Sequence, residues 1–286
     1  MVAQSITAAP AGEVAVRDLE PRLASMLAAA LAGAQSLRLA DRAKVLCKPD
    51  GTPQTEADLM SDRAIREVLS RELPDLPVVS EESRSSLSAG FAERPFLLVD
   101  PLDGTREFLE GHADHAVCVA LIADRRPVLG AIVAPALRKA WTAGADAREW
   151  TLDAHLAIAG SPRLIRAATG RESPRHLVTS RSRPDPFAAA VMPRLAGATL
   201  RPVGAVLKLV AVATGEACLF PAGNPSSEWD IAAGEALVIA AGGTMLGVDG
   251  RPLTYGNADN AFRHPPYAAG ANERIVRDAL AQWPAN

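Results

Sequence analysis

The chain has 286 residues, 48% hydrophobic and 22% charged, which supplies apolar material for a large core and excludes global disorder. Its 33 acids against 30 bases give a formal charge of -3, without the basic excess of a protein that lives on nucleic-acid backbone or an anionic membrane surface. Aromatics make up 4%, too few for the stacking platforms of single-strand binders.

In chain order, residues 1–15 are small and polar with Pro10 and Gly12 and read as a loose tail. Leu23, Met26, Leu27, Ala30 and Leu31 recur at helical spacing and predict a first amphipathic helix within Leu19 to Leu39. After the turn-rich Lys48-Pro49-Asp50-Gly51-Thr52-Pro53, a second helix opens at Thr55-Glu56-Ala57-Asp58, a capping-box pattern. It carries Ile65, Val68 and Leu69 on one face and ends before Pro74. Val78-Val79 and Phe96-Leu97-Leu98-Val99 are apolar runs that end in acids, as strands feeding loops do. Val117 to Ile122, Val128 to Val133 and Lys139 to Thr142 are separated by turn signals and predict an antiparallel meander. Residues 158–175, rich in Arg, Ser, Gly and Pro, mark a subdomain boundary. Beyond it come a strand at Leu177-Val178-Thr179, helices over Pro186 to Leu195 and Ala205 to Thr214, a strand at Ala217 to Phe220 and a helix from Ile231 to Ala241. This alternation points to an α/β layer.

Cys47, Cys118 and Cys218 are odd in number, far apart and mostly among apolar neighbours, so buried thiols are expected rather than a disulfide framework or a zinc site. The longest weakly polar run, Leu23 to Ala34, is too short to span a membrane. With no charged start followed by an apolar core, a cytoplasmic protein is expected.

The chemistry is concentrated in Leu97-Leu98-Val99-Asp100-Pro101-Leu102-Asp103-Gly104-Thr105-Arg106-Glu107-Phe108. Two carboxylates three residues apart, at a strand end beside Pro and Gly, are placed by a sharp turn that can aim both at one point. Converging anionic oxygens repel unless a hard cation lies between them, and all-oxygen ligation suits Mg²⁺. Gly104 and Thr105 can present backbone N–H groups to phosphate at the start of the helix running through Phe108. Haloacid dehalogenase-type phosphatases also follow a strand with Asp, Asp, Gly and Thr, but their acids are two apart and the motif opens the domain. Further acids stand at Glu81 and Glu82 after the Val78-Val79 strand, at Asp58, and at Trp229-Asp230, where Asp230 is a natural cap for the helix that follows. His112 and His115 are three apart but lack a third ligand nearby.

Asp58, Glu81, Asp100, Asp103 with Thr105, and Asp230 occur in the order found in the inositol monophosphatase superfamily, which the sequence resembles from about residue 20 onward. The signature is carried by Asp100-Pro101-Leu102-Asp103-Gly104-Thr105, and by Trp229-Asp230-Ile231-Ala232-Ala233-Gly234 with Ala241-Gly242-Gly243. Resemblance to its 3′(2′),5′-bisphosphate nucleotidase branch rests on Asp50 to Asp58, Ser80-Glu81-Glu82, Val178-Thr179-Ser180-Arg181-Ser182, Leu207-Lys208 and Cys218-Leu219-Phe220-Pro221. The resemblance implies a layered αβαβα sandwich of mixed α+β and α/β character. It would comprise the tail 1–15, an N-terminal α+β subdomain 16–160 with an antiparallel sheet and the metal site, and a C-terminal α/β subdomain 161–286.

It further implies that Glu81, Asp100, the carbonyl of Leu102, Asp103 and Asp230 ligate two or three Mg²⁺ ions. Asp58 would hold Thr105, which with Glu81 and a metal would activate the attacking water. The implied activity is lithium-sensitive, Mg²⁺-dependent phosphomonoester hydrolysis, with 3′-phosphoadenosine 5′-phosphate as the leading substrate. Inositol monophosphate or another sugar phosphate is the alternative, and a non-catalytic binding protein that kept the fold is the alternative of another class. Gly104, Thr105, Ser180, Arg181 and Lys208, with Arg183 as a further candidate, are the expected substrate contacts. Pro221, Ala222 and Gly223 could line an adenine slot. Two departures stand out: Ala222 where such nucleotidases often have Arg, and Val206 where they have Ser. The implied partner is a small phosphate ester, with no nucleic acid and no membrane span, and a homodimer is compatible with it.

Overall fold

A computed structural model describes residues 19–40, 45–47, 53–83, 90–168, 176–183, 185–194 and 197–283. The expected tail at 1–15 and the turn at 48–52 lie outside the described residues, as does part of the expected boundary at 158–175.

Helix α1 (Leu19–Leu37) leads through the short hairpin β1 (Val45–Cys47) and β2 (Pro53–Thr55) into α2 (Glu56–Glu72). A seven-stranded sheet follows in spatial order β3 (Val78–Ser80), β4 (Phe96–Asp103), β5 (Ala116–Ala123), β6 (Arg126–Ala134), β7 (Lys139–Ala143), β8 (Ala147–Thr151) and β9 (Arg163–Leu164). Within this sheet, among the described residues, only β3 and β4 are parallel neighbours. A five-stranded sheet contains β10 (His176–Ser180), β11 (Thr199–Val203), β12 (Leu219–Ala222), β14 (Thr244–Gly247) and β16 (Tyr267–Gly270), in the order β11-β10-β12-β16-β14. Between these in sequence, β13 (Ser226–Ser227) and β15 (Arg263–His264) form a small antiparallel pair. The remaining helices are α3 (Thr105–Leu109), α4 (Pro186–Val191), α5 (Leu207–Ala213), α6 (Glu228–Ala240) and α7 (Glu273–Leu280).

Period-two alternation along the strands sorts the chain into layers. Leu97, Val99, Val117, Val119 and Leu121 pack against Met26, Ala30, Ile65 and Leu69 of α1 and α2 on one face of the large sheet. Their alternates Phe96, Leu98, Cys118, Ala120 and Ile122 join Leu209, Val212, Ala232 and Ala236 of α5 and α6 on the other. The same core continues into Val178, Phe220, Met245 and Tyr267 of the small sheet. Its far face, with Leu177, Leu219 and Ala268, is covered by Phe187 and Val191 of α4 and Val276 of α7. The result is the expected αβαβα sandwich. Because both faces are covered, β4 and β5 read as unbroken apolar runs rather than alternating ones.

Several elements differ from the sequence reading. The small sheet is parallel only across β11-β10-β12, and β16 and β14 join it antiparallel. The helix expected over Pro186 to Leu195 ends at Val191 and tightens into one 3₁₀ turn at Met192–Arg194. The helix expected from Ala205 starts at Leu207, since Ala205 has φ +54° and Val206 is the cap. The helix expected from Ile231 starts at Glu228. Strands β1, β2, β8, β9, β11, β13, β14, β15 and β16 and helix α7 have no counterpart in the sequence reading. Cys118 and Cys218 are buried, as expected, and the Cys47 side chain lies outside what is described.

Candidate active site

The acids of the main motif are placed by an irregularity in β4. Asp100 pairs with Cys118 of β5, but Asp103 pairs with Ala116, so three steps on β4 match two on its neighbour. Regular alternation would send Asp100 and Asp103 to opposite faces. The extra residue of the bulge turns both to the same face, and Pro101, which has no N–H to donate, is tolerated there. The bulge is braced from both sides: Ser61 Oγ on α2 donates to Pro101 O at 2.7 Å, and the Leu102 N–H donates to Asp100 Oδ1 at 3.0 Å. Gly104 then turns the chain into α3 at φ +86°.

Helix α2 supplies the next groups. Thr55 caps it, with its N–H and hydroxyl both donating to Asp58 Oδ2 at 2.6 Å. Asp58 Oδ1 remains to accept from the Thr105 hydroxyl at 3.2 Å, whose other acceptor is Leu102 O at 3.1 Å. Asp58 is therefore both a helix-initiating side chain and the holder of Thr105. One turn further on, Asp62 accepts from Ser80 Oγ at 2.6 Å and from Arg66 Nε at 2.9 Å. The Glu81 N–H donates to Val99 O at 3.1 Å, which sets Glu81 beside Asp100 at the strand ends.

Asp230 is not the helix cap that its sequence position suggests. Ser227 caps α6, and Asp230 at the third helical position accepts from the Ser227 N–H at 3.0 Å. Glu81, Asp100, Leu102, Asp103, Thr105 and Asp230 all line one cleft of about 290 Å³, together with Gly104, Ser180 and Lys208.

Burial and crowding disturb these acids. Burial, then repulsion from Glu81 and Asp103, pushes Asp100 well above the ordinary carboxylate range. Burial and Asp230 lift Asp103 to about 7, against the pull of Lys208 and the Val206 N–H. Asp230 rises to about 6 through burial and Glu81, opposed by the Ser227 N–H, Arg183 and Arg263. Asp58 also reaches about 6, chiefly through burial. Burial draws Lys208 down while Asp103 and Glu107 draw it up.

All the candidate ligand atoms are oxygens, and their charges are mutually unfavourable without a counter-ion. That chemistry fits a hard divalent cation. Among the described residues no three His, Cys, Asp or Glu side chains are already closed around one point. Asp100, Asp103 and Asp230 instead each take a backbone N–H, from Leu102, Val206 and Ser227.

The expected substrate contacts separate into two groups. Gly104, Thr105, Ser180, Lys208 and Arg183 line the cleft, whereas Arg181 does not. Its Nε and Nη2 fork onto Asp114 Oδ2 at 2.9 and 2.6 Å, a partner 67 residues away that the sequence did not reveal. Lys208 Nζ donates to Ala205 O and stands 5.5 Å from the Phe220 ring centre. Of the expected adenine slot, Ala222 lines the cleft with Phe220 and Pro225, while Pro221 and Gly223 do not. Gly223 is held by its N–H to Asp185 Oδ2 at 2.6 Å. Sequence reasoning missed Asp62, Arg106 and Arg263. Asp62 had a usable signal, since it lies one helical turn beyond Asp58 on the same face. Arg263, between Phe262 and the Pro265-Pro266 pair, had none. His115 is buried with Nδ1 3.0 Å from His112 O and packs edge-on to Phe108, as a core residue.

The inositol monophosphatase family profile matches residues 16–280. The 3′(2′),5′-bisphosphate nucleotidase CysQ of Shigella flexneri is 34% identical over 211 residues, 74% of this chain and 82% of that protein. The protein of the same name from Escherichia coli O157:H7 is 34% identical over 227 residues, 78% and 89% of the two chains. Among solved structures, CysQ from Bacteroides thetaiotaomicron, described as a bacterial member of the inositol monophosphatase family, superposes with a TM-score of 0.74 at 27% identity. The match covers 87% of this chain and 97% of that one. Inositol monophosphatase from Anabaena superposes at 0.71 with 24% identity over 93% and 98% of the two chains, which shows the shared fold. The chain belongs to the inositol monophosphatase family and is a metal-dependent phosphatase.

Proposed function

We propose that the cleft hydrolyses phosphate monoesters with Mg²⁺, and that its preferred substrate is 3′-phosphoadenosine 5′-phosphate, cleaved at the 3′ position. The observation that carries the chemistry is the β4 bulge, which turns Asp100 and Asp103 to one face in a cleft shared with Glu81, Asp230 and Thr105. The substrate is supported by the identity to proteins named for that nucleotidase activity. In this reading the site lies between subdomains 16–160 and 161–286.

Glu81, Asp100, the Leu102 carbonyl, Asp103 and Asp230 would hold two or three Mg²⁺ ions. When bound, the cations neutralise the ester's charge, acidify the attacking water and stabilise the leaving alkoxide. The chain's own groups orient the reaction. Asp58 Oδ1 accepts the Thr105 hydroxyl hydrogen, which leaves a lone pair of Thr105 Oγ1 to accept from water. Asp58 is kept in that orientation by the two Thr55 donors on its other oxygen. Glu81, beside Asp100, is the second group positioned to handle the water's proton. Gly104 and Thr105 can meet phosphate oxygens with backbone N–H groups, and Lys208 offsets the charge of Asp103 and Glu107. The water oxygen bonds to phosphorus as the P–O3′ bond breaks, and the 3′ oxygen leaves as the hydroxyl of adenosine 5′-monophosphate. Inhibition by Li⁺, a cytoplasmic location and the absence of a nucleic-acid partner belong to the same reading.

A single turnover in ¹⁸O-water tests it. Inorganic phosphate should carry one new label with no phosphorylated protein. Trapping an aspartyl phosphate at Asp100 would overturn direct attack by water.

A further inference from the structure

The sequence offered Arg181, Lys208 and Arg183 for recognition of an anion beyond the acid cluster, and the structure commits the first two elsewhere. Arg181 is forked onto Asp114 and also donates to Pro202 O at 3.3 Å. Lys208 is spent on Ala205 O and on the charge of Asp103. Besides Arg106, whose Nη1 donates to Ser182 O, two other guanidinium groups line the cleft: Arg183, in the turn after β10, and Arg263, on β15. Both are exposed, and neither side chain has a hydrogen bond or ion pair with another described residue.

Their backbones, in contrast, are fixed. The Arg183 N–H donates to Ser180 Oγ at 3.2 Å, and the turn is tied to α3 by Ser182 Oγ donating to Glu107 Oε1 at 2.9 Å and by Arg106 Nη1 to Ser182 O at 3.4 Å. Arg263 pairs with Ser227, the cap of the helix that carries Asp230, and its carbonyl accepts from Asn260 Nδ2 at 2.9 Å. Both charges are close enough to Asp230 to act on it. Uncharged Phe220, Ala222 and Pro225 also line the cleft, as does Asp185, whose carboxylate accepts the Phe187 and Gly223 N–H groups. Each arginine is thus a donor fork on an anchored base at the cleft, with no hydrogen bond or ion pair to another described residue. Planar guanidinium forks match phosphate oxygens in pairs.

We infer that Arg183 and Arg263 form a clamp for the second phosphate of a bisphosphate substrate and determine its selection over monophosphates. The inference rests on the nucleotidase reading above; of the three cations that the sequence offered it keeps Arg183 alone for the second anion, and it adds Arg263.

The test compares 3′-phosphoadenosine 5′-phosphate with adenosine 3′-monophosphate, which keeps the scissile group and lacks the second phosphate, in wild type, Arg183→Gln, Arg263→Gln and Arg263→Lys. Each glutamine variant should lose about ten- to a hundredfold in kcat/KM for the bisphosphate, through KM, since one charge-assisted contact is removed. Activity on the monophosphate should stay within about threefold, and lysine should restore part of the loss. Equal losses on both substrates would assign the arginines to the acid cluster or the fold and overturn the clamp. A wild type that prefers the bisphosphate, with variants that keep the preference, also overturns it while leaving the nucleotidase reading standing. A wild type with no preference for the bisphosphate removes the nucleotidase reading and the clamp together.

Discussion

Gly104→Ala probes the turn on which the site depends. Gly104 sits at φ +86° and ψ 41°, a left-handed conformation that costs a residue with a Cβ about 1–2 kcal/mol. The added Cβ would stand 2.8 Å from the Asp114 carbonyl oxygen, 3.1 Å from Ala205 Cβ and 3.3 Å from His115 Cα. Asp114 is held by Arg181 and by the Gly204 N–H at 2.9 Å, so its backbone cannot easily retreat, and overpacking adds about 1–3 kcal/mol. Alanine's smaller unfolded-state entropy returns about 0.4–1 kcal/mol. The net loss is about 1–5 kcal/mol, a fall in Tm of roughly 2–18 °C at roughly 2–4 °C per kcal/mol. Because Asp103 and Thr105 flank the strained residue, kcat should also fall by about tenfold or more. Gly242→Ala is the control, since Gly242 has φ +87° but nothing within 4 Å of the added Cβ. It should lose only the conformational part, with kcat unchanged. Thermal unfolding and steady-state kinetics on both variants read the two effects. Gly104→Ala with a wild-type Tm and kcat would refute the reasoning.

Thr105→Ala should lower kcat by about 10²-fold with Mg²⁺ affinity largely kept, the size of losing a proton-handling group; an unchanged kcat would remove Thr105 from the mechanism. Asp103→Asn should lose activity by weakening cation binding, visible as a raised Mg²⁺ requirement, and an unaltered Mg²⁺ titration would contradict its role as a ligand. Burial lifts Glu235 from the usual 4.5 to about 7, despite Arg126 at 2.5 Å. Its folded value lies above its unfolded one, so the stability it contributes is fully present below about pH 4.5 and is lost as pH rises through about 7. Glu235→Gln should flatten that part of the Tm profile; an identical slope in the variant would show that another group carries it.

What was legible in the sequence was local. The Thr55 to Asp58 capping box follows from four consecutive residues, and the structure realises it, with one carboxylate oxygen left for Thr105. The pairing of Asp100 with Asp103 was readable as a sharp turn, because Pro101 and Gly104 leave few other conformations. The β-bulge that does the turning depends on the register with β5 and was not readable. Asp230 appeared to be a cap because Ser227 belongs to a strand pair whose partner, Arg263, lies 36 positions later. Arg181 shows the same gap: a strand-end arginine looks available until Asp114 is brought to it by the fold. Edge strand β11, largely exposed and carrying Arg201 and Pro202, has no apolar run to announce it. Contacts within a turn of helix or strand are encoded by adjacent residues, whereas the second cation set and the bulge are products of pairing across the chain.

The central claim is tested most directly by measuring kcat/KM for 3′-phosphoadenosine 5′-phosphate, adenosine 5′-monophosphate and inositol 1-phosphate, each with Mg²⁺ and with excess chelator. The bisphosphate nucleotide should be hydrolysed best, releasing its 3′-phosphate, with activity abolished by chelation and restored by Mg²⁺. Inositol 1-phosphate winning by about tenfold or more, a difference of about 1.4 kcal/mol in transition-state binding, would contradict the substrate, and full turnover in chelator would contradict the metal-dependent site itself.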